Sequence, residues 1–181
     1  MPADGVPIAI RAEQPGDETA IAAVVEAAFG SPAEARLVDL IRASSGFWPE
    51  LSLVAEDGDR LVGHVMISAA TLEGGSGSRA IATLSPLAVA PDRQRQGIGA
   101  ALVRAVTERA DERGEPLVVL EGSPDYYGRL GFEPADPLGI HITLPDWAPP
   151  EAAQVLRLQA YDPSVQGRVI YPPAFDEVTP D

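Results

Sequence analysis

The 181-residue chain contains no cysteine and no lysine, and only two histidines. Without cysteine there can be no disulfide, no thiolate nucleophile and no Cys-based zinc site. Without lysine there is no Gly-x-x-x-x-Gly-Lys phosphate loop. His64 and His141 lie far apart and lack the close pairing of a helical zinc motif, so no metal site is expected. No apolar run is long enough to span a bilayer, and Met1-Pro2-Ala3-Asp4-Gly5 has no basic n-region. A cytoplasmic protein without membrane association is the expectation. Positive charge is scarce as well: 13 basic residues, all arginine, face 27 acidic ones, for a net charge of −14. Such a surface repels polyanions, which argues against nucleic acid as a partner and suits a cationic one such as an amine; acidity also serves solubility.

Hydrophobic residues make up 45% of the chain, enough for a real core in one domain spanning 1–181. Residues 7–12 read as a short strand, and Ile21, Val24, Val25 and Ala28 recur with helical spacing. Ser31-Pro32 predicts a second helix with Ser31 as N-cap and Pro32 at its first position, carrying Leu37, Leu40 and Ile41 as its stripe. Residues 51–56 and 61–72 read as strands joined by a hairpin turn at Asp57-Gly58-Asp59. Residues 74–78 read as a flexible tip. Residues 81–89 read as a fourth strand interrupted by Ser85-Pro86, and a proline there requires an edge or a bulge. A helix to about Arg113 follows, stopped by Gly114, and then an apolar strand over 117–120. Strand, helix and apolar strand together predict a parallel pair. Residues 125–130 suit a short helix, 134–153 a Pro-rich loop, and 155–158 and 169–171 late strands. The order β-α-α-β-β-β-α-β-α-β describes a mixed α/β sheet flanked by helices.

The strongest chemical signal is Gln94-x-x-Gly97-x-Gly99-Ala100 at the head of the long helix. Two glycines let a ligand approach the backbone, and the free N–H groups and helix dipole favour an anion. A pyrophosphate is the natural occupant, with Arg93 and Arg95 able to add charge-assisted contacts. Glycine weakens a helix start by up to about 1 kcal/mol, so a pair of them argues for more than relief of a tight turn. A dinucleotide fold would want a third glycine where Leu102 stands and a first glycine directly after the strand; Glu121 alone suits it.

The run Leu87-Ala88-Val89-Ala90-Pro91-Asp92-Arg93-Gln94-Arg95-Gln96-Gly97-Ile98-Gly99-Ala100-Ala101-Leu102 resembles the acetyl-CoA-binding motif of the GNAT superfamily. Tyr126-Tyr127-Gly128-Arg129-Leu130-Gly131-Phe132 resembles its second hallmark, a tyrosine before a Gly-Phe pair. The likeness covers about residues 7–134, leaving 135–181 as an extension of the same domain. That tail, Gly167-x-Val169-x-Tyr171-x-x-Ala174-Phe175, is similar to the YhbS-type bacterial branch of N-acetyltransferases.

The resemblance implies the GNAT fold, a mostly antiparallel sheet with a splayed parallel strand pair at the acyl-CoA site. It implies that acetyl-CoA is the co-substrate, with transfer straight to a primary amine of a small molecule or peptide. Leu87, Ala88 and Val89 would run beside the pantetheine arm, and a bulge near Pro86 would open the gap for the thioester. Arg95, Gln96, Gly97, Ile98, Gly99 and Ala100 would cradle the pyrophosphate. An amide of Ala88 or Val89 would polarise the carbonyl. Tyr127 would protonate the departing sulfur, a role that suits a neutral phenol beside a thiolate whose thiol pKa is about 8.5. The base is open among Glu121, His64 and ordered water. Phe29, Phe47, Trp48 and Trp147 are either a lid over the amine or ordinary anchors. Homodimers are frequent in the family. A CoA-binding module without catalysis is the alternative reading of the same glycines.

Overall fold

The computed structural model describes residues 7–178. Its first strand β1 (Ala9–Ala12) leads into the helices α1 (Glu18–Phe29) and α2 (Ala33–Arg42). The second helix starts one residue later than Ser31-Pro32 suggested. Pro32 is itself the N-cap, and the Ser31 hydroxyl accepts from the Ala33 amide at 3.1 Å. Strand β2 (Ser52–Asp57) turns at Gly58 and Asp59 into β3 (Arg60–Gly74), which turns again at Gly75 and Ser76 into β4 (Gly77–Val89). The second turn is a closed ladder end with Gly74 opposite Gly77, not a loose tip. Helix α3 (Ile98–Glu112) then crosses to β5 (Leu117–Glu121), which is followed by α4 (Pro124–Gly128). The stretch read as a loop holds β6 (Glu133–Pro134) and β7 (Ile140–His141), strands of two residues each and too short to leave a period in the sequence. Strands β8 (Ala153–Arg157) and β9 (Gly167–Ile170) follow, and a 3-10 turn over Pro173–Val178 ends the described residues.

Among the described residues these strands form one nine-stranded sheet in the order β1-β2-β3-β4-β5-β8-β6, with β9 on β3 and β7 on β9. Pairing along the main path is antiparallel except between β4 and β5, so the expected parallel pair within a mixed sheet is present; off that path β7 and β9 also pair in parallel. The long β3 serves two neighbours on one edge: β2 along 60–66 and β9 along 71–73.

Alternation along each strand sorts the side chains into two layers. Leu53, Ala55, Val118 and Leu120 pack with the α3 residues Ile98, Leu102, Val103 and Val106. On the opposite face Val54, Met66 and Ala88 pack with α1 and α2. Leu117, Val119 and Ile81 share that face and are covered by the C-terminal segment through Ile140, Val165 and Val169. The sheet is therefore covered on both sides, which accounts for the unbroken apolar run of β5. Helix α3 buries Ile98, Leu102, Val103, Val106, Thr107 and Ala110. No helix among the described residues is long and apolar enough to cross a membrane.

Candidate active site

The site begins with a fault in the ladder. Val65 lies opposite Leu87, and Ile67 opposite Leu84, so β4 carries one extra residue against β3. This is a β-bulge, and it contains Ser85-Pro86. Its effect is visible in the side chains. Ala82 and Leu84 face α3 before the bulge, and Leu87 and Val89 do so after it. Beyond Thr83, β4 no longer pairs with β5: only Ala82 and Thr83 have partners there, Val118 and Val119. The two parallel strands thus separate where the proline, which has no N–H to give, would otherwise have broken a central ladder.

A cavity of about 330 Å³ lies along this opening and over the head of α3. Of the residues expected to bind a cofactor, Leu87, Val89, Arg95, Gly97, Ile98, Gly99 and Ala100 line it. Ala88 and Gln96 do not. The Ala88 side chain points to the other face and is buried with α1 and α2. The Gln96 side chain turns back to accept from Arg93 at 3.1 Å. Gly97 is the N-cap of α3 with φ of 83°, a left-handed conformation that glycine adopts without strain. Arg95 also has positive φ, at 61°. Gln94 donates to the Val89 carbonyl at 3.0 Å and ties this loop to the strand end. Arg93 and Arg95 both line the cavity, but Arg93 is ion-paired to Asp57 across the β2–β3 hairpin, whereas Arg95 has no carboxylate partner among the described residues. Free amides at a helix head, an uncommitted guanidinium and glycine at the contact points fit a pyrophosphate.

A second cavity of about 950 Å³ lies on the far side of the opening, and Leu87 lines both. Tyr126 lines the first and Tyr127 the second, so the tyrosine pair straddles the junction. The N-cap of α4 sets them there: the Ser123 hydroxyl accepts from the Tyr126 amide at 3.3 Å. A Cβ on Gly99 would stand 2.6 Å from the Tyr126 hydroxyl, so that glycine makes room for the ring. The sequence motif assigns a role to Tyr127 alone; the tyrosine doublet is the one local signal for Tyr126. Tyr127 packs edge-on against Phe132, with centroids 5.6 Å apart. Burial pushes its hydroxyl up to about 12, with Tyr126 adding to the effect, so it holds its proton at neutral pH.

The larger cavity is also lined by Phe29, Glu34, Glu121, Tyr171, Phe175 and Asp176, and its wall includes the loop at Thr143, Leu144 and Pro145. Its lining includes no arginine or histidine. Glu121 follows Leu117 and Val119 on the face away from α3. Burial raises its carboxyl above the usual range, and a hydrogen bond from Tyr171 partly offsets this. Among the aromatic candidates only Phe29 lines the cavity. Phe47 packs with α1 and α2, Trp48 packs on the α3 core under Arg113, whose guanidinium lies 4.2 Å from the ring centroid, and Trp147 is 84% exposed. Glu34, Tyr171, Phe175 and Asp176 carried no site signal in the sequence, because only the fold brings α2 and the tail to β5. Among the described residues no group of three or more His, Asp or Glu side chains is placed to hold a metal.

His64 lines neither cavity. It is fully buried under Ala88, its strand partner, with Nδ1 3.1 Å from the Leu53 carbonyl and Nε2 unpartnered. Burial, and more weakly the Arg42 charge, lowers its pKa to about 4, against an opposing pull from Glu13. Burial also pushes the Glu13 carboxyl up, but hydrogen bonds from Arg42 and Ser52 win and hold it below the usual range. An imidazole whose folded pKa is depressed contributes stability above its unfolded value near 6.5, and that stability is lost as pH falls toward 4. Between pH 7 and pH 5 the expected loss is about 2 kcal/mol. Urea unfolding of wild type and His64→Gln at the two pH values measures it. The variant's loss should be smaller by about that amount, and equal losses would exonerate the histidine.

Bulge, splayed parallel pair, glycine-headed helix and tyrosine at the junction are the features that the resemblance to acetyl-CoA-dependent transferases led one to expect. The Acetyltransferase (GNAT) domain matches residues 9–135, and the chain belongs to this acetyltransferase family. It is 37% identical over 118 residues to the uncharacterized N-acetyltransferase YjhQ of Escherichia coli (strain K12), covering 65% of either chain. It is 36% identical over 125 residues to the uncharacterized N-acetyltransferase YhbS of the same strain, covering 68% of this chain and 72% of that one. The crystal structure of E. coli YhbS in complex with CoA superimposes with a TM-score of 0.84 at 32% identity, over 93% of this chain and 92% of that one. A GNAT acetyltransferase from Brucella melitensis in complex with acetyl-CoA does so with a TM-score of 0.76 at 31% identity, over 94% and 99%.

Proposed function

We propose that the protein is an acetyl-CoA-dependent N-acetyltransferase that acts directly on a primary amine. The observation that carries this reading is the meeting of the two cavities at Leu87, with Tyr127 at the junction. The smaller cavity, with its glycines and Arg95, suits the CoA pyrophosphate, and the CoA complex of YhbS supports that assignment. The larger cavity suits the acceptor. Glu34, Glu121 and Asp176 line it without a basic residue, and its aromatic walls favour a cation over an anion. One Glu34 oxygen, Oε2, is buried without a hydrogen-bond partner among the described residues, a deficit that an ammonium donor in the cavity would help to relieve.

Acetyl-CoA, when bound, supplies an activated acyl group whose C–S bond breaks as the C–N bond forms. Glu121 takes the proton that the acceptor ammonium, with a pKa near 10, must lose before attack. Among the sequence candidates for this role it is the side chain that lines the acceptor cavity, whereas His64 is sealed in the core. Tyr127 donates its phenolic proton to the departing sulfur, and the second proton that the nitrogen sheds as the amide forms restores the phenol through solvent. The edge of β4 freed beyond Thr83 offers backbone groups to the pantetheine arm. The acceptor is a small molecule or a peptide, and a co-substrate of this kind suits the cytoplasm.

Acetyl-CoA at about 100 times its Kd is expected to stabilise the protein by about 2.7 kcal/mol, a rise of roughly 5–10 °C in Tm, while NADH leaves Tm unchanged. Thiol release against a panel of amines then reads turnover. No shift with acetyl-CoA would sink the proposal. Binding without consumption against every amine would instead favour an acyl-CoA-binding module.

A further inference from the structure

The C-terminal segment lies beyond the part of the chain matched by the GNAT domain, yet it walls the acceptor cavity. Strand β9 pairs with β3 through Ile170 opposite Thr71, which delivers the next residue, Tyr171, onto the sheet face away from α3. Thr83 belongs to that same face, two residues after Ile81 on β4 and opposite Val119 on β5. Glu121 follows Val119 on β5 by the same two-residue step. Three strands distant in sequence therefore bring a threonine, a tyrosine and a glutamate together at the mouth of the gap. The Tyr171 hydroxyl lies beside both Thr83 and Glu121, near enough that, on top of burial, the carboxylate pushes its pKa up and Thr83 pulls it down. Its ring is fixed by stacking on Phe175, with centroids 5.0 Å apart and planes 25° off parallel.

We propose that Tyr171 is the positioning residue of this active site: its hydroxyl, oriented by Thr83, donates to the Glu121 carboxylate and aims it at the gap between β4 and β5. The proposal rests on the reading of Glu121 as the base. A carboxylate at the end of a strand has free rotamers, and one fixed donor leaves its other oxygen to receive the acceptor's proton. The same donor favours the charged form that a base needs, against the burial that opposes it. Other titratable groups around the cavity are Tyr127 from α4, Glu34 from α2 and Asp176 from the tail; none supplies a positive charge to do this work. The family domain thus carries the donor half of the site, and the tail completes the acceptor half.

Tyr171→Phe in the full chain keeps the stacked ring and removes only the donor. Carbon-13 titration of the Glu121 carboxyl, assigned with Glu121→Gln, is expected to show its midpoint rise by about one pH unit in the variant. The acidic limb of kcat/KM should move up with it, using whichever of spermidine, putrescine or a short N-terminal peptide wild type acetylates best. That predicts a loss of up to about tenfold on the acid side of the wild-type midpoint, recovery above the variant's midpoint, and an unchanged KM for acetyl-CoA. Thr83→Val, which loosens the hydroxyl without touching the ring, should shift the same midpoint less and in the same direction; it stands in if Tyr171→Phe misfolds. A Glu121 midpoint unmoved in the folded variants overturns the inference while leaving the transferase reading intact. Failure of wild type to acetylate any amine overturns the transferase reading, whereas the carboxyl titration still decides whether Tyr171 holds Glu121.

Discussion

Tyr127→Phe is expected to bind acetyl-CoA as wild type does and to lose about 10²–10³ in kcat. The ring would stay where it is. It is held edge-on between Tyr126, with centroids 4.9 Å apart, and Phe132, and it lies against Gly122, where a Cβ would come within 2.5 Å of it. Phenylalanine keeps those contacts, so only the proton donor is removed. Binding should survive because the smaller cavity is lined by Tyr126, not Tyr127. A hydroxyl pushed up to about 12 is protonated throughout the useful range, so wild type should show no basic limb from this group below about pH 10. Thermal shift with acetyl-CoA checks binding, and thiol release from pH 6 to 9 checks chemistry. Turnover equal to wild type at every pH would remove Tyr127 from the mechanism.

Gly167→Ala is expected to cost about 3 kcal/mol and to free the C-terminal segment from the sheet. Gly167 opens β9 with φ of 148° and donates its N–H to the Gly139 carbonyl at 2.9 Å. A Cβ there would run into the Glu73 carbonyl and stand 2.6 Å from its carbon and 3.0 Å from the Gly74 Cα. These are backbone atoms of β3, which cannot swing aside as a side-chain tip can. Backbone strain and overpacking each contribute 1–3 kcal/mol in such cases. The contact is mutual, since a Cβ on Gly74 would meet the Gln166 carbonyl. Urea unfolding of Gly167→Ala measures the loss. Gly75→Ala, at a tip with nothing within 4 Å of the added carbon, should stay within about 0.5 kcal/mol of wild type. Because Tyr171 and Phe175 ride on β9, the first variant should also lose acceptor turnover while still binding acetyl-CoA. Equal stability in the two variants would show that the strand can shift to accept a side chain.

Much of the smaller cavity's lining was legible without coordinates, because its signals are local. Gly97 and Gly99 at the head of a helix, the proline in a central strand and the tyrosine before Gly131-Phe132 are short motifs whose physics holds within one turn or one strand. The proline required an edge or a bulge, and the bulge is there, one extra residue between Leu84 and Leu87. Composition alone excluded thiol chemistry and disulfides, and the net charge of −14 pointed toward a cationic partner. The larger cavity could not be read this way. It joins Phe29 and Glu34 at the first two helices to Glu121 at the end of β5 and to Tyr171 and Asp176 in the tail. No spacing rule links residues so far apart; the alternation of the strands and the docking of β9 on β3 bring them together. The same holds for His64, which as a sequence feature was a reasonable base. Only the fold decided otherwise, by turning its strand face toward α1 and α2, where the ring is buried and kept neutral.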